Sequence, residues 1–189
     1  VGMITAQTED EDGVAPRTSM GVIRLKQDVL AESSVGIVAT AGDPLDRSGS
    51  WLAGTDFTYQ TSEMFGNRNF LVGVWGMTMD RDGLTPSADS LSGSSKSAWG
   101  GKIDYPNDLW DNVFVYRRIG EDFDPSLGFV RRRGVHRYYA GTTYAPRPDS
   151  ELIRQLHYRA SFSYFTNLDH EWESYGTYIT PMSINFESG

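Results

Sequence analysis

Apolar and polar residues alternate along most of this chain. Between Met20 and Leu30, Ile23, Leu25 and Val29 fall on one side, with Arg24, Lys26 and Asp28 on the other. A period of two marks a strand with one wet face, because successive side chains leave a strand in opposite directions. Val35, Ile37 and Ala39 alternate in the same way with Ser34, Gly36 and Thr40. Trp51, Ala53, Phe57 and Tyr59 oppose Gly54, Asp56, Thr58 and Gln60, and Trp99, Ile103 and Tyr105 oppose Gly100, Lys102 and Asp104. Leu156, Tyr158, Ala160, Phe162 and Tyr164 oppose Gln155, His157, Arg159, Ser161 and Ser163. Segments at 1–8, 70–79, 113–119, 136–145 and 172–186 bring the prediction to ten strands and no helix. The stretch FLVGVWGMTM is apolar on both faces, and only its glycines and its neighbours favour strand over buried helix.

The connections support the same reading. Seven of the eight prolines fall between predicted strands, as a sheet requires, and Pro181 inside the last strand predicts a bulge or an edge. Long and short connections alternate: EDEDGVAPRT is long, AES short, the Pro44 loop longer, FGNRN short, the Asp80 loop long, YPND short, the Gly120–Gly134 loop long and PRPDS short. Only the connection near Asp169 breaks the alternation, by being short. An up-and-down transmembrane barrel has this arrangement, with tight turns at one rim, long loops at the other and strands of about 9–11 residues. The expected fold is all-β: an antiparallel up-and-down meander of about ten strands, forming a transmembrane β-barrel or an open portion of a larger one. Residues 1–189 are read as one barrel segment.

Periodicity does not say which face meets which solvent. In a soluble barrel or sandwich the apolar face points inward, whereas in a membrane barrel it meets lipid and the wet face lines a lumen. Cost decides the expectation: an arginine facing the bilayer midplane is unfavourable by roughly 2–4 kcal/mol, and a lumen-facing one stays hydrated. Leu156, Tyr158, Ala160, Phe162 and Tyr164, with Ile23, Leu25 and Val29, are therefore expected on the convex, lipid-facing side. Gln155, His157, Arg159, Ser161 and Ser163, with Arg24, Lys26 and Asp28, are expected on the other.

Composition narrows the function. The net charge of -8 and the sequence pI of about 4.8 argue against a nucleic-acid partner. With no cysteine there is neither a disulfide nor a thiolate metal site. Aromatic residues make up 13% of the chain, a strand-rich composition together with its many Gly, Thr and Ser residues. No apolar run is long enough for a membrane-spanning helix, and no basic region followed by a hydrophobic stretch opens the chain. A start at Val1 without such a signal reads as a fragment.

The longest piece without alternation is GEDFDPSLGFVRRRG, from Gly120 to Gly134. Glu121, Asp122 and Asp124 crowd its first half, and Arg131, Arg132 and Arg133 its second. If this loop folds into a lumen, its arginines could form an anion-attracting constriction, or bind anionic headgroups or sugar phosphates at the rim. The plainer alternative is internal ion pairing with Glu121, Asp122 and Asp124. The candidate binding residues, in loop or lumen, are Asp122, Asp124, Arg131, Arg132, Arg133 and Arg159.

Catalytic signatures are missing. His136, His157 and His170 lack zinc-type spacing, and there is no nucleophile elbow or phosphate-binding glycine loop. No catalytic residue, cofactor or metal is expected, and the chain is read as no enzyme. Asp80-Arg81-Asp82-Gly83 and the acidic run Glu9–Asp12 carry carboxylates that suit calcium, but DG is also a common turn. The main alternative to a membrane barrel is a soluble β-rich carbohydrate-binding module, stacking Trp51, Trp75, Trp99 and Trp172 on sugar rings.

The run GEDFDPSLGFVRRRG followed by HRYYAGTTYAPRP resembles the signature region of the bacterial "domain of unknown function 5916" proteins. So do VGMITAQTEDEDGVAPRTSMGVIRLKQDVLAESSVGIVAT, and SWLAGTDFTY ahead of FLVGVWGM, in the same order and over nearly the whole chain. The resemblance implies a portion of an outer-membrane β-barrel in a bacterial outer membrane, and with the alternation and the loop lengths it leads to the expectation of a porin-like transport or carbohydrate-handling role. The expected partners are the lipid bilayer and glycans or small anionic solutes. The chain ends in NFESG, without the terminal aromatic residue of such barrels. The family supplies no catalytic residue to carry over.

Overall fold

Each alternating segment finds its hydrogen-bond partner in the segment next to it in sequence. The computed structural model describes residues 1–10, 16–45, 49–82, 84 and 94–187, and all that follows concerns these. They form β1 (Gly2–Gln7), β2 (Ser19–Val29), β3 (Ser33–Ala41), β4 (Trp51–Met64) and β5 (Arg68–Asp80). The second half continues with β6 (Ser97–Pro106), β7 (Trp110–Ile119), β8 (Val135–Tyr144), β9 (Ile153–Asn167) and β10 (Trp172–Phe186). Every strand pairs antiparallel with its sequence neighbours in one ten-stranded sheet whose order follows the chain. β1 and β10 have one strand neighbour each among the described residues, so the sheet is open. The chain does not adopt the closed-barrel form of the expected fold.

The turns explain the tight connections. At 65–67, Phe65, Gly66 and Asn67 all take positive φ (49°, 79° and 78°), a sharp reversal that lets β5 return directly along β4. Pro181 lies inside β10 where the pairing with β9 shifts between Thr180 and Ser183, a bulge on an edge strand. Its missing N–H is harmless there. Pro106 ends β6 rather than lying beyond it, and Pro86 is outside the described residues.

The register carries the alternation across the sheet. Leu25, Ile37 and Thr55 fall in one cross-strand row, and Arg24, Val38 and Gly54 in the adjacent row on the opposite face. Followed through every pairing, one face carries Arg24, Lys26, Asp28, Asp56, Lys102, Asp104, Arg117, Arg137 and Arg159. On the other face, charged side chains such as Asp80 and Arg118 occur only near the strand ends. Its middle is apolar, small or hydroxyl-bearing: Ile37, Phe57, Val74, Ile103, Phe114, Ala140, Phe162 and Thr177. This apolar face is open to solvent, with Ile179 63% and Phe162 44% exposed.

Two aromatic rows cross that face. Tyr116, Tyr138, Tyr164 and Tyr175 are partners in register on β7 to β10, nearer the rim with the longer connections. Trp110, Tyr144 and Tyr158 form a second row at the other rim. The rows are six residues apart along each strand, or about 20 Å at the usual rise.

The charged face is where long side chains lie flat over glycines. Arg24 of β2 crosses β3 above Gly36 to reach Asp56 of β4, with Nη1 to Oδ2 at 2.6 Å. The residue at position 36 must be glycine-sized for this, since a Cβ there would meet the guanidinium at 2.5 Å. The one cluster of buried apolar side chains also lies on this face, at the rim with the longer connections: Leu52, Met79 and Ala98 from the sheet and Phe123 from the loop after β7. Trp75, Met77, Ile119 and Val130 pack around it. β5 is thus apolar on both faces for two reasons. Val72 and Val74 lie on the open apolar face, while Trp75, Met77 and Met79 pack beneath the loop.

Phe123 is 3% exposed, and its truncation should cost about 3–5 kcal/mol. The Phe123→Ala variant is expected to unfold at lower urea concentration and to be cut faster by trypsin after Arg131, Arg132 and Arg133. Wild-type cleavage rates would show that the loop is held by something else.

Candidate functional site

The loop at 120–134 begins as a continuation of the sheet. Gly120 N–H donates to Ser97 O at 2.9 Å and Asp122 N–H to Ser95 O at 3.0 Å, extending the β6–β7 ladder past the strand end. Gly134 N–H then donates to Gly120 O at 3.3 Å and closes the base of the loop, with Gly134 at φ +67°. That conformation favours glycine. Between these ends Phe123 drops into the buried cluster, and Asp124 N–H points at Met79 Sδ at 3.1 Å. The loop therefore lies on the charged face of the sheet.

Its charges divide between two partners. Asp124 accepts from Arg81 Nη2 at 2.5 Å and faces Arg133 Nη1 at 3.4 Å. The Arg81 side chain is only 10% exposed, so this carboxylate neutralises a largely desolvated cation. Arg132 turns the other way. It donates from Nη2 to Glu173 Oε2 at 2.8 Å and from Nη1 to Ser174 Oγ at 3.0 Å, with its guanidinium 5.2 Å above the Phe165 ring. On the other side Ser126 Oγ meets Ser50 Oγ at 3.2 Å, so the loop reaches from the start of β4 to the start of β10.

Beneath the second half of the loop lies a cavity of about 860 Å³. Its walls are Trp75, Phe123, Phe129, Phe165 and smaller apolar residues, together with Arg117, Arg131, Arg132 and Arg137. The structure thus splits the predicted site. Arg131 and Arg132 line the cavity, and Arg133 pairs with Asp124 as the plainer expectation had it. Asp122 is buried at the base of the loop, and neither it nor Asp124 lines the cavity. Arg159 lies on the charged face six residues along β9 from Phe165, about 20 Å away, and does not join them.

Sequence reasoning missed Arg117 and Arg137. They are direct cross-strand partners on β7 and β8, separated by the whole loop in sequence. The signal was the pair Arg117-Arg118, since adjacent strand residues must point to opposite faces. His136 and His170 are likewise brought together, their rings 4.4 Å apart, with Tyr116 Oη 2.7 Å from His136 Nδ1. No group of three or more His, Asp or Glu residues suited to a metal occurs among the described residues. In the candidate calcium turn, Asp80 Oδ1 takes Lys96 Nζ at 2.6 Å, and Gly83 lies outside the described residues, as do Glu11 and Asp12 of the acidic run. The four tryptophans proposed as a sugar platform do not share a face: Trp51, Trp99 and Trp172 lie on the apolar one and Trp75 on the charged one.

No family model, no curated protein and no solved structure matches the chain.

The Asp124 cluster yields a measurable asymmetry. Asp124→Asn leaves Arg81 without its charged partner and should cost about 1–3 kcal/mol. Arg133→Gln removes only an exposed, longer contact and should cost under about 1 kcal/mol. Urea midpoints of the two variants check this, and equal losses would mean that Arg81 does not depend on Asp124.

Proposed function

We propose that this chain forms part of the wall of an outer-membrane β-barrel, with its apolar face to lipid and its charged face to an aqueous interior. The observation that carries the reading is the segregation of charge: the middle of one face has none over ten strands, while the other carries charged side chains on β2, β4, β6, β7, β8 and β9. A soluble sheet with this pattern would bury its apolar face. Here the packing element, the loop at 120–134, sits on the charged face instead and leaves the apolar one open. The two aromatic rows, about 20 Å apart, suit the interfacial girdles that flank a lipid-facing band about 25 Å tall. The strand lengths, 9 to 15 residues for β2 to β10, suit tilted spans.

The bacterial outer membrane, rather than another bilayer, enters this proposal through the motif resemblance alone. A porin-like role fits a charged interior face carrying pairs such as Arg24–Asp56 and Lys102–Asp104. The carbohydrate-binding alternative is weakened by the surroundings of Trp99, where Val74, Ile103 and Phe114 offer no partner for sugar hydroxyls and the hydroxyl of Tyr116 is already hydrogen-bonded to His136.

Quenching by brominated lipid separates the faces. With the chain refolded into vesicles, a variant keeping only Trp99 should be strongly quenched and one keeping only Trp75 should not. Equal quenching of the two, or none, would sink the membrane reading. In the same vesicles Phe162→Arg should cost roughly 2–4 kcal/mol, against little for Ser163→Arg beside it. Equal costs would contradict the face assignment.

A further inference from the structure

We propose that the cavity beneath the loop at 120–134 is a binding site for an organic anion with an apolar, ring-sized body. The inference stands on the cavity itself and does not rest on the membrane reading.

Charge comes first. Arg117, Arg131, Arg132 and Arg137 contribute to the lining, and no carboxylate does. Elsewhere on this face Arg24 is matched by Asp56 and Lys102 by Asp104, and Arg132 has Glu173, while the isolated Lys26 and Arg159 have no ion pair among the described residues. Arg117, Arg131 and Arg137 have no ion pair among the described residues. Arg117 and Arg137 are moreover directly opposed across β7 and β8. Like charges in that relation repel, and an anion between them turns the repulsion into attraction.

Arg137 is held ready for such a partner. Its guanidinium lies 5.7 Å over the Phe165 ring and 5.5 Å over Tyr139, which fixes its plane. Its Nε is buried and has no hydrogen-bond partner. A buried donor without an acceptor costs about 1–3 kcal/mol, which a bound oxyanion would recover.

The rest of the lining selects the body of the ligand. Trp75, Phe123, Phe129 and Phe165 give ring surfaces, and Phe129 stands 86% exposed, open to cover by a guest. No lining side chain carries a hydroxyl, amide or carboxylate, so sugar hydroxyls would find no acceptor. This separates the site from a glycan subsite. A volume of about 860 Å³ is of the size that holds a small organic molecule.

The test uses the chain in a nonionic detergent, which covers the apolar face, and titrates 2-naphthoate by calorimetry. Saturable binding of one naphthoate per chain is expected, with the neutral analogue 2-naphthalenemethanol about tenfold weaker or worse. Arg117→Gln and Arg137→Met should each weaken naphthoate by about tenfold. Arg159→Gln, the same charge change on the same face outside the cavity, should leave it unchanged. Should Arg137→Met not fold, Arg131→Gln at the exposed loop serves in its place. Absence of saturable binding, equal affinity for the neutral analogue, or an Arg159→Gln loss equal to that of Arg117→Gln would each overturn the proposal.

Discussion

The docking of Phe123 against Leu52, Met79 and Ala98 is the contact on which the three-dimensional arrangement of this chain turns. Every strand pairing is between sequence neighbours, so the ladders alone would leave a sheet with no tertiary closure. The loop that carries Phe123 supplies it, reaching from Ser50 at the start of β4 to Glu173 at the start of β10. The loop also decides which face is enclosed. Apolar burial of this kind is non-directional, but the loop leaves β7 through ladder bonds to Ser97 and Ser95 that hold its first residues in line with the sheet. From that position Phe123 packs on the side where Met79 and Ala98 point.

Two sets of charges follow from that placement. Where the loop's acidic half meets Arg81, opposite charges are joined, and the pair neutralises a desolvated guanidinium. Where its basic half lies over Arg117 and Arg137, like charges are gathered around a space with aromatic walls. The first arrangement is self-sufficient. The second is electrostatically incomplete, and an anion completes it. Elsewhere on the same face, glycine at position 36 leaves room for the Arg24 side chain to lie across the sheet to Asp56. Meanwhile the apolar face and the outer edges of β1 and β10 are open among the described residues, and the proposed barrel wall would cover both.

What the sequence by itself determined is local: ten strands, their neighbour pairing and the two faces. Side-chain direction in a strand repeats every two residues, so Arg24 and Ile23 must face apart wherever the strand lies, and short turns such as 65–67 force neighbours to pair. Even the ambiguous FLVGVWGMTM resolved as a strand, its apolar residues on both faces explained by the loop above Met77 and Met79. The candidate site was legible only in part. Arg131 and Arg132 stood out as part of a charge run, but Arg117 and Arg137 looked like ordinary strand residues, 20 positions apart in the chain. Only the tertiary structure decided that the loop folds onto the charged face, that Asp124 takes Arg81 and Arg133, and that Arg159 stays apart. The reason is physical. Periodicity encodes direction relative to a strand, whereas the landing point of a 15-residue loop depends on which distant surface offers Phe123 a dry contact, and no local pattern carries that.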